Sequence, residues 1–227
     1  MSSRSGLVIA IDGPSGSGKS SASKGVARAL GLRYLDTGAM YRALTWWLMA
    51  EKADTGDAAL VAARAAEPAI EVSTDPDDPW TRVNGRDVSR DIRTPEVSAR
   101  VSAVARVQRV RDHLIALQRA VIAAADPGIV AEGRDIGTVV AADAQLKVFL
   151  TADPGARARR RAAELSADAA ETEAAQARRD RLDAAQSEKA DDALLLDATD
   201  LTLDEVIGEI TRLARERTLA GAGDKSS

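Results

Sequence analysis

The chain has 227 residues, with no cysteine, one histidine, 3% aromatics and a net charge of −4 from 31 basic and 35 acidic side chains. That length carries one or two domains of roughly 100–200 residues each and a core that needs no staples. The composition excludes disulfides, thiolate nucleophiles, Cys-ligated zinc and multi-histidine metal clusters, and its mild acidity argues against general coating of nucleic acid, which depends on many cations.

Leu7–Ile11 is a short, β-branched, uninterrupted run, as expected of a strand buried on both faces of a parallel sheet. A Gly/Ser-rich turn follows, and then a helix from Lys19 to Leu30. Arg33–Leu35 reads as a second strand, and Thr37 as the cap of a helix reaching Lys52. A helix is expected over Asp57–Ala66. Ala69–Ser73 and Trp80–Val83 alternate like strands, and Asn84-Gly85 is a strong hairpin turn signal.

Thr94-Pro95 is a helix start, with a capping hydroxyl followed by Pro at the first position. Helical spacing of valines and leucines then continues to about Ala124. His113 falls in this stretch and reads as an ordinary surface residue. Gly128–Ala131 and Leu146–Leu150 are further buried strands, and Pro154 opens an arginine-rich helix to Leu165. Residues 166–192 are polar and charged and read as mobile helix and loop. Ala193–Leu196 and Leu203–Arg217 are the last strand and helix. Strands alternating with helices predict an α/β fold of three layers around a parallel sheet. No stretch approaches the ~20 apolar residues that span a bilayer, and the first apolar run is too short for a signal segment, so a cytoplasmic location is expected.

Gly13-Pro14-Ser15-Gly16-Ser17-Gly18-Lys19-Ser20 fits the pattern G-x-x-x-x-G-K-[ST] in its required context, after a strand and before a helix. Such glycines let successive backbone amides wrap anionic oxygens, and the helix start adds its positive end. Lys19 is expected to reach the β and γ phosphates of ATP, Ser20 to ligate Mg²⁺, and Ser21 to border the same site. The loop alone does not say what is done with the triphosphate. A guanine-reading GTPase would need Asn-Lys-x-Asp, but the one asparagine, Asn84, is followed by Gly85. A chain this short fits a small-molecule kinase better than a motor or transport ATPase.

Five segments together resemble the bacterial cytidylate (CMP) kinase family of P-loop nucleoside monophosphate kinases. They are Gly13–Ser20, Asp36-Thr-Gly-Ala-Met-Tyr-Arg42, Asp91-Ile-Arg-Thr94, Glu132-Gly-Arg-Asp-Ile-Gly-Thr138 and Arg179-Asp-Arg-Leu-Asp183. The resemblance runs from about residue 7 to 215 and implies transfer of the ATP γ-phosphoryl group to CMP or dCMP. It implies a core at about residues 5–68, 94–165 and 190–217. It also implies a monophosphate-binding insert at about 69–93 and a mobile lid at about 155–190. The tail from about 218 to 227 is expected to be disordered.

By the same resemblance, Arg42, Arg134 and Arg179 hold the CMP phosphate, and Lys19, Arg134 and Arg179 act in transfer. Planar guanidinium forks suit a phosphate dianion. Ser102, Arg111 and Asp135 are implied for the base, Asp183 for the ribose, and Thr37 and Tyr41 for the pocket lining. A carboxylate can accept from the exocyclic amine of cytosine, where uracil carries a carbonyl. Ser102 and Arg111 are nine residues apart and cannot share a face of one straight helix, so a break near Arg106–Gln108 is expected. Glu132, at a strand end, is a candidate to hold Mg²⁺ through water. Gln186 stands where the family carries a second lid arginine, and Lys189 or Arg181 could replace its charge. Acceptors other than CMP (UMP, shikimate) and a non-catalytic nucleotide-binding module remain as alternatives. The expected partners are small molecules, with no nucleic acid and no membrane, and the chain is read as a monomer.

Overall fold

The computed structural model describes residues 6–165, 169–184 and 187–223, with side chains described except at 161–173, 175, 179 and 220–223. Two compact units are present. One comprises Met1–Tyr34 and Ala125–Ser227, the other Leu35–Ala124.

The first unit is built on a five-stranded sheet. Its strands are β1 (Leu7–Asp12), β2 (Arg33–Asp36), β6 (Gly128–Gly133), β7 (Leu146–Thr151) and β8 (Leu194–Asp197), in the order β2-β6-β1-β7-β8. β1 pairs in parallel with both β6 and β7, and β7 in parallel with β8. The chain passes from one unit to the other within β2. Helices α1 (Lys19–Leu30), α6 (Pro154–Leu165), α7 (Ala169–Asp183) and α8 (Leu203–Gly223) belong to this unit.

Its core explains why the strand sequences are continuous apolar runs. Ile9, Ile11, Val130, Leu146, Val148 and Leu150 are buried with Val26 and Ala27 of α1 and Val206, Ile210 and Ala214 of α8. Both faces of a parallel sheet are covered, so alternation with polar residues is not tolerated. Each large side chain buried this way contributes about 1.5–3 kcal/mol. That exceeds the ~1 kcal/mol of a helix cap, so the sheet core rather than helix-end chemistry holds this unit together.

The second unit contains α2 (Thr37–Ala50), α3 (Ala58–Arg64), α4 (Pro95–Ala105), α5 (Gln108–Ala124) and a three-stranded antiparallel sheet of β3 (Ile70–Val72), β4 (Thr81–Val83) and β5 (Arg86–Asp87). Asn84 and Gly85 both have positive φ, 51° and 78°, which is the two-residue turn their sequence predicts. Thr94 caps α4 by accepting from the Val97 amide, with Pro95 at the first position. The expected break between Ser102 and Arg111 is present: α4 ends at Ala105 and α5 begins at Gln108.

Two expectations need correction. Asp36, not Thr37, caps α2, because its carboxylate accepts from the Ala39 amide at 2.9 Å and Thr37 is already helical. Helix α8 extends past Arg217 to Gly223, into the tail expected to be disordered. The helix expected within residues 166–192 is α7, fifteen residues long. Alanine-rich, charged sequence has high helix propensity, and without apolar periodicity its extent is hard to read.

Thr94→Ala removes an N-cap acceptor from α4 and should lower stability by about 1 kcal/mol, read as a lower urea midpoint with an unchanged slope.

Candidate active site

The chemistry-bearing loops of the sheet unit start together because their strands end in register. Asp12, the last residue of β1, lies opposite Gly133 of β6 and Phe149 of β7. The loop from Gly13 and the loop from Arg134 therefore leave the carboxyl edge of the sheet as neighbours, where open α/β sheets bind ligands.

Gly13 has φ 147°, and a Cβ there would sit 2.0 Å from the Leu150 carbonyl oxygen, so only glycine fits between β1 and β7. The loop ends at Gly18, in the left-handed region at φ 90°, which precedes α1 without any side-chain cap. The first turn of α1 carries no acidic residue. A helix start with no side-chain cap and no acid in its first turn presents its positive end in the way that suits an anion. Among the described residues, the buried Ser17 Oγ has no hydrogen-bond partner, which leaves it as a further donor at this site. These features fit a polyphosphate. Lys19 Nζ donates to Pro14 O at 2.7 Å. Ser20 and Ser21, in the first turn of α1, are half-buried.

Arg134 donates from Nη1 to the carbonyl of Gly13 and from Nη2 to Asp183 at 3.2 Å. One guanidinium therefore joins the phosphate loop, the loop after β6 and helix α7. Asp183 is buried. Asp135 is also buried and begins a π-helical turn, Ile136–Val140. Its side chain does not cap that turn. Its carbonyl closes it instead, accepting from the Val139 and Val140 amides at 2.8 and 3.1 Å.

Sequence reasoning passed over Asp12, the residue immediately before Gly13. Asp12 is buried, and its two oxygens each accept a 2.8 Å bond, from the Ile136 and Gly137 amides. It pins the π-helical turn to the root of the phosphate loop. Burial pushes its pKa above the ordinary 3.8 against the pull of those two amides; the charge of Asp135 raises it further and that of Lys19 lowers it. An ionisable residue ending an apolar strand was the available signal. Glu132, buried one residue short of the end of β6, accepts from the Tyr34 hydroxyl at 2.5 Å.

Also unanticipated is a cavity of about 220 Å³ beside the start of α1, walled by Ser17, Gly18, Ala22, Leu150, Leu201 and Val206. Arg160 borders it and holds the carbonyls of Ala198 and Leu201 at 2.6 and 3.4 Å. Arg157 donates to Ala152 O and Ser15 O. Arg157 and Arg160 are thus engaged within the protein rather than turned to solvent. The side chain of Arg179 and all of Gln186 lie outside the described residues. Lys189 Nζ donates to the carbonyls of Ala190 and Ala193.

In the helical unit, Arg42 is buried on α2 and its Nη1 donates to Ile92 O at 3.2 Å and Ser98 Oγ at 2.9 Å. Thr37 is buried in the first turn of the same helix, and Tyr41, with its hydroxyl buried, follows one turn later. Ser102 is buried on α4, and Arg111 is half-buried in the first turn of α5. Arg93 pairs with Asp36 at 3.1 Å, which gives the Asp91–Thr94 segment a structural task at the start of α2.

The cytidylate kinase family model matches residues 9–216. The chain belongs to that family. It is 50% identical over 222 residues to the cytidylate kinase of Streptomyces griseus, covering 96% of each chain. With the cytidylate kinase of Streptomyces avermitilis it shares 50% over 219 residues, 94% of this chain and 95% of the other. A solved structure of a protein from Eubacterium ventriosum, at 12% identity, superimposes with a TM-score of 0.51 over 92% of this chain and 98% of that one, a likeness of fold alone. The stretch matched to the cytidylate kinase family contains every residue singled out from Gly13 to Asp183. Among the described residues, no helix is long and apolar enough to cross a membrane.

Asp12→Ala leaves two buried amides without acceptors and should cost about 1–3 kcal/mol. Because the native carboxyl titrates above 3.8, the native state keeps its proton longer than the unfolded chain does. The stability tied to this proton is complete below pH 3.8 and is lost as pH rises through the native value. The gap between wild type and Asp12→Ala in denaturant unfolding should therefore narrow as pH rises from 3.8.

Proposed function

We propose that this chain is an ATP-dependent kinase of pyrimidine monophosphates that converts CMP or dCMP and ATP into CDP or dCDP and ADP. It acts as a monomer in the cytoplasm, with no nucleic-acid or membrane partner. The observation that carries the reading is the pairing, in a member of the cytidylate kinase family, of an uncapped helix start behind Gly13–Ser20 with Arg134 bonded to the first residue of that loop.

The loop Gly13–Ser21, through its backbone amides other than that of Pro14, and Lys19 take the triphosphate. The cavity beside Ala22 and Leu150 suits the adenine ring, with the segment after Ala198 held in place by Arg160. Ser20 would hold Mg²⁺, with Glu132 acting through water, and the ion when bound supplies screening between the β and γ phosphates.

On the acceptor side, Arg134 and Arg179 hold the CMP phosphate, Asp183 the ribose and Asp135 the exocyclic amine of cytosine. In the helical unit, Arg42 serves the phosphate, Ser102 and Arg111 serve the base, and Thr37 and Tyr41 line the pocket.

The attacking oxygen of CMP is anionic at neutral pH, so no general base is needed. This suits a chain whose single histidine, His113, is a half-buried residue of α5. The protein's task is to align two phosphates and spread the charge of the transferred group over Lys19, Arg134 and Arg179. Water is kept out so that ATP is not hydrolysed.

A coupled ADP-release assay should respond to CMP and dCMP well before UMP, AMP or shikimate. A preference for one of the latter three would reassign the acceptor, and ATP binding with no response to any would make the chain a binding module. Lys19→Ala should lower kcat by about 10²–10³-fold. Asp135→Ala should reduce the preference for CMP over UMP by at least ~10-fold while ATP affinity holds. Unchanged CMP/UMP discrimination would remove Asp135 from base selection.

A further inference from the structure

Two residues of the sheet unit take no part in the proposed chemistry yet fix the turn behind it, Asp12 and Gly137. Asp135, proposed above to meet the exocyclic amine of cytosine, is held through its backbone. Its carbonyl accepts from the Val139 and Val140 amides at 2.8 and 3.1 Å and from the Thr138 hydroxyl at 3.4 Å. The next two amides, of Ile136 and Gly137, each donate at 2.8 Å to one oxygen of the buried Asp12. Both oxygens of Asp12 are therefore used on the two residues that follow Asp135.

Lys147 bounds the turn from the same face of the sheet. It lies in register with Ala10, two residues before Asp12, so the Lys147 and Asp12 side chains project to one side. Lys147 is buried, and its Nζ is tied to the two oxygens of Asp192 at 2.9 and 2.8 Å. Gly137 sits between Asp12 and Lys147. A Cβ there would lie 3.2 Å from Lys147 Cδ, 3.4 Å from its Cγ and 3.3 Å from Asp12 Oδ2. The carbon contacts are tighter than the ~3.5–4.0 Å optimum. One wall is held by two amides and the other by Asp192, so an alanine would push the turn rather than its walls.

Choice between bases that differ in one donor depends on where the reading carboxylate stands. A hydrogen bond weakens steeply off its geometry, and a misplacement of about 1 Å can cost 10²-fold in rate. We propose that Asp12 and Gly137 are positioning residues that set acceptor-base specificity, an inference that rests on Asp135 being the base reader. The Asp12 carboxylate fixes the turn that aims Asp135, and Gly137 lets that turn lie so close to Asp12 and Lys147.

The test is the ratio of kcat/KM for CMP to that for UMP. It is measured for wild type, Asp135→Ala, Asp12→Asn, Gly137→Ala, and each of the last two combined with Asp135→Ala. ATP is common to both reactions, so damage to the phosphate loop or a loss of folded protein cancels in this ratio. Asp12→Asn keeps the size of the side chain but sets an N–H₂ group against one backbone N–H. Both single variants should lower the ratio about three- to ten-fold, with the loss on the CMP side. Neither should lower it further in the Asp135→Ala background, because residues that act through one another are not additive. If urea unfolding shows that Asp12→Asn does not fold, Gly137→Ala decides alone.

A wild-type ratio in the folded variants, or an equal further drop when Asp135 is already gone, would overturn the inference. With Asp135→Ala still eroding the preference for CMP, the kinase reading would stand. A wild-type chain that does not prefer CMP, or a ratio untouched by Asp135→Ala, would overturn the base reading itself and this inference with it.

Discussion

Strands β1 and β6 run parallel from Leu7 opposite Gly128 to Asp12 opposite Gly133. The two loops that carry most of the ionic chemistry of the sheet unit therefore leave the sheet side by side. Asp12 makes this more than proximity, because its carboxylate takes the Ile136 and Gly137 amides and ties the second loop to the base of the first. The strand core around Ile9, Ile11 and Val130 supplies the free energy that tolerates this buried charge. The side chains that follow are aimed from a fixed frame.

The cations of that frame are already engaged. Lys19 is turned onto Pro14 O, Arg134 onto Gly13 O and Asp183, and Arg157 onto Ser15 O and Asp180. Each of these side chains is thus positioned by contacts within the unit itself. A net charge of −4 does not work against a polyanionic nucleotide on such a frame, because the relevant field is local.

Most of the elements were legible because each rests on short-range chemistry. Asn84-Gly85 forms the turn that positive φ at both positions demands, and Thr94-Pro95 starts a helix with a hydroxyl and a fixed φ. The break between α4 and α5 followed from requiring Ser102 and Arg111 to serve one ligand. Local chemistry misled at α2. Thr37 and Asp36 are both good caps, and the carboxylate that also reaches Arg93 took the position.

The sequence by itself determined the phosphate loop, the alternation of strand and helix and the family, because these depend on residue type at fixed spacing within one segment. Only the tertiary structure decided that Asp12 anchors the Ile136–Val140 turn, that Arg134 reaches Gly13 and Asp183, and that Asp180 sits on Ser15. Those pairs are separated by about 50 to 165 residues of chain. No local pattern encodes which distant donor a carboxylate will meet. That choice is made when the parallel register of the sheet and the packing of α7 bring the partners within bonding distance.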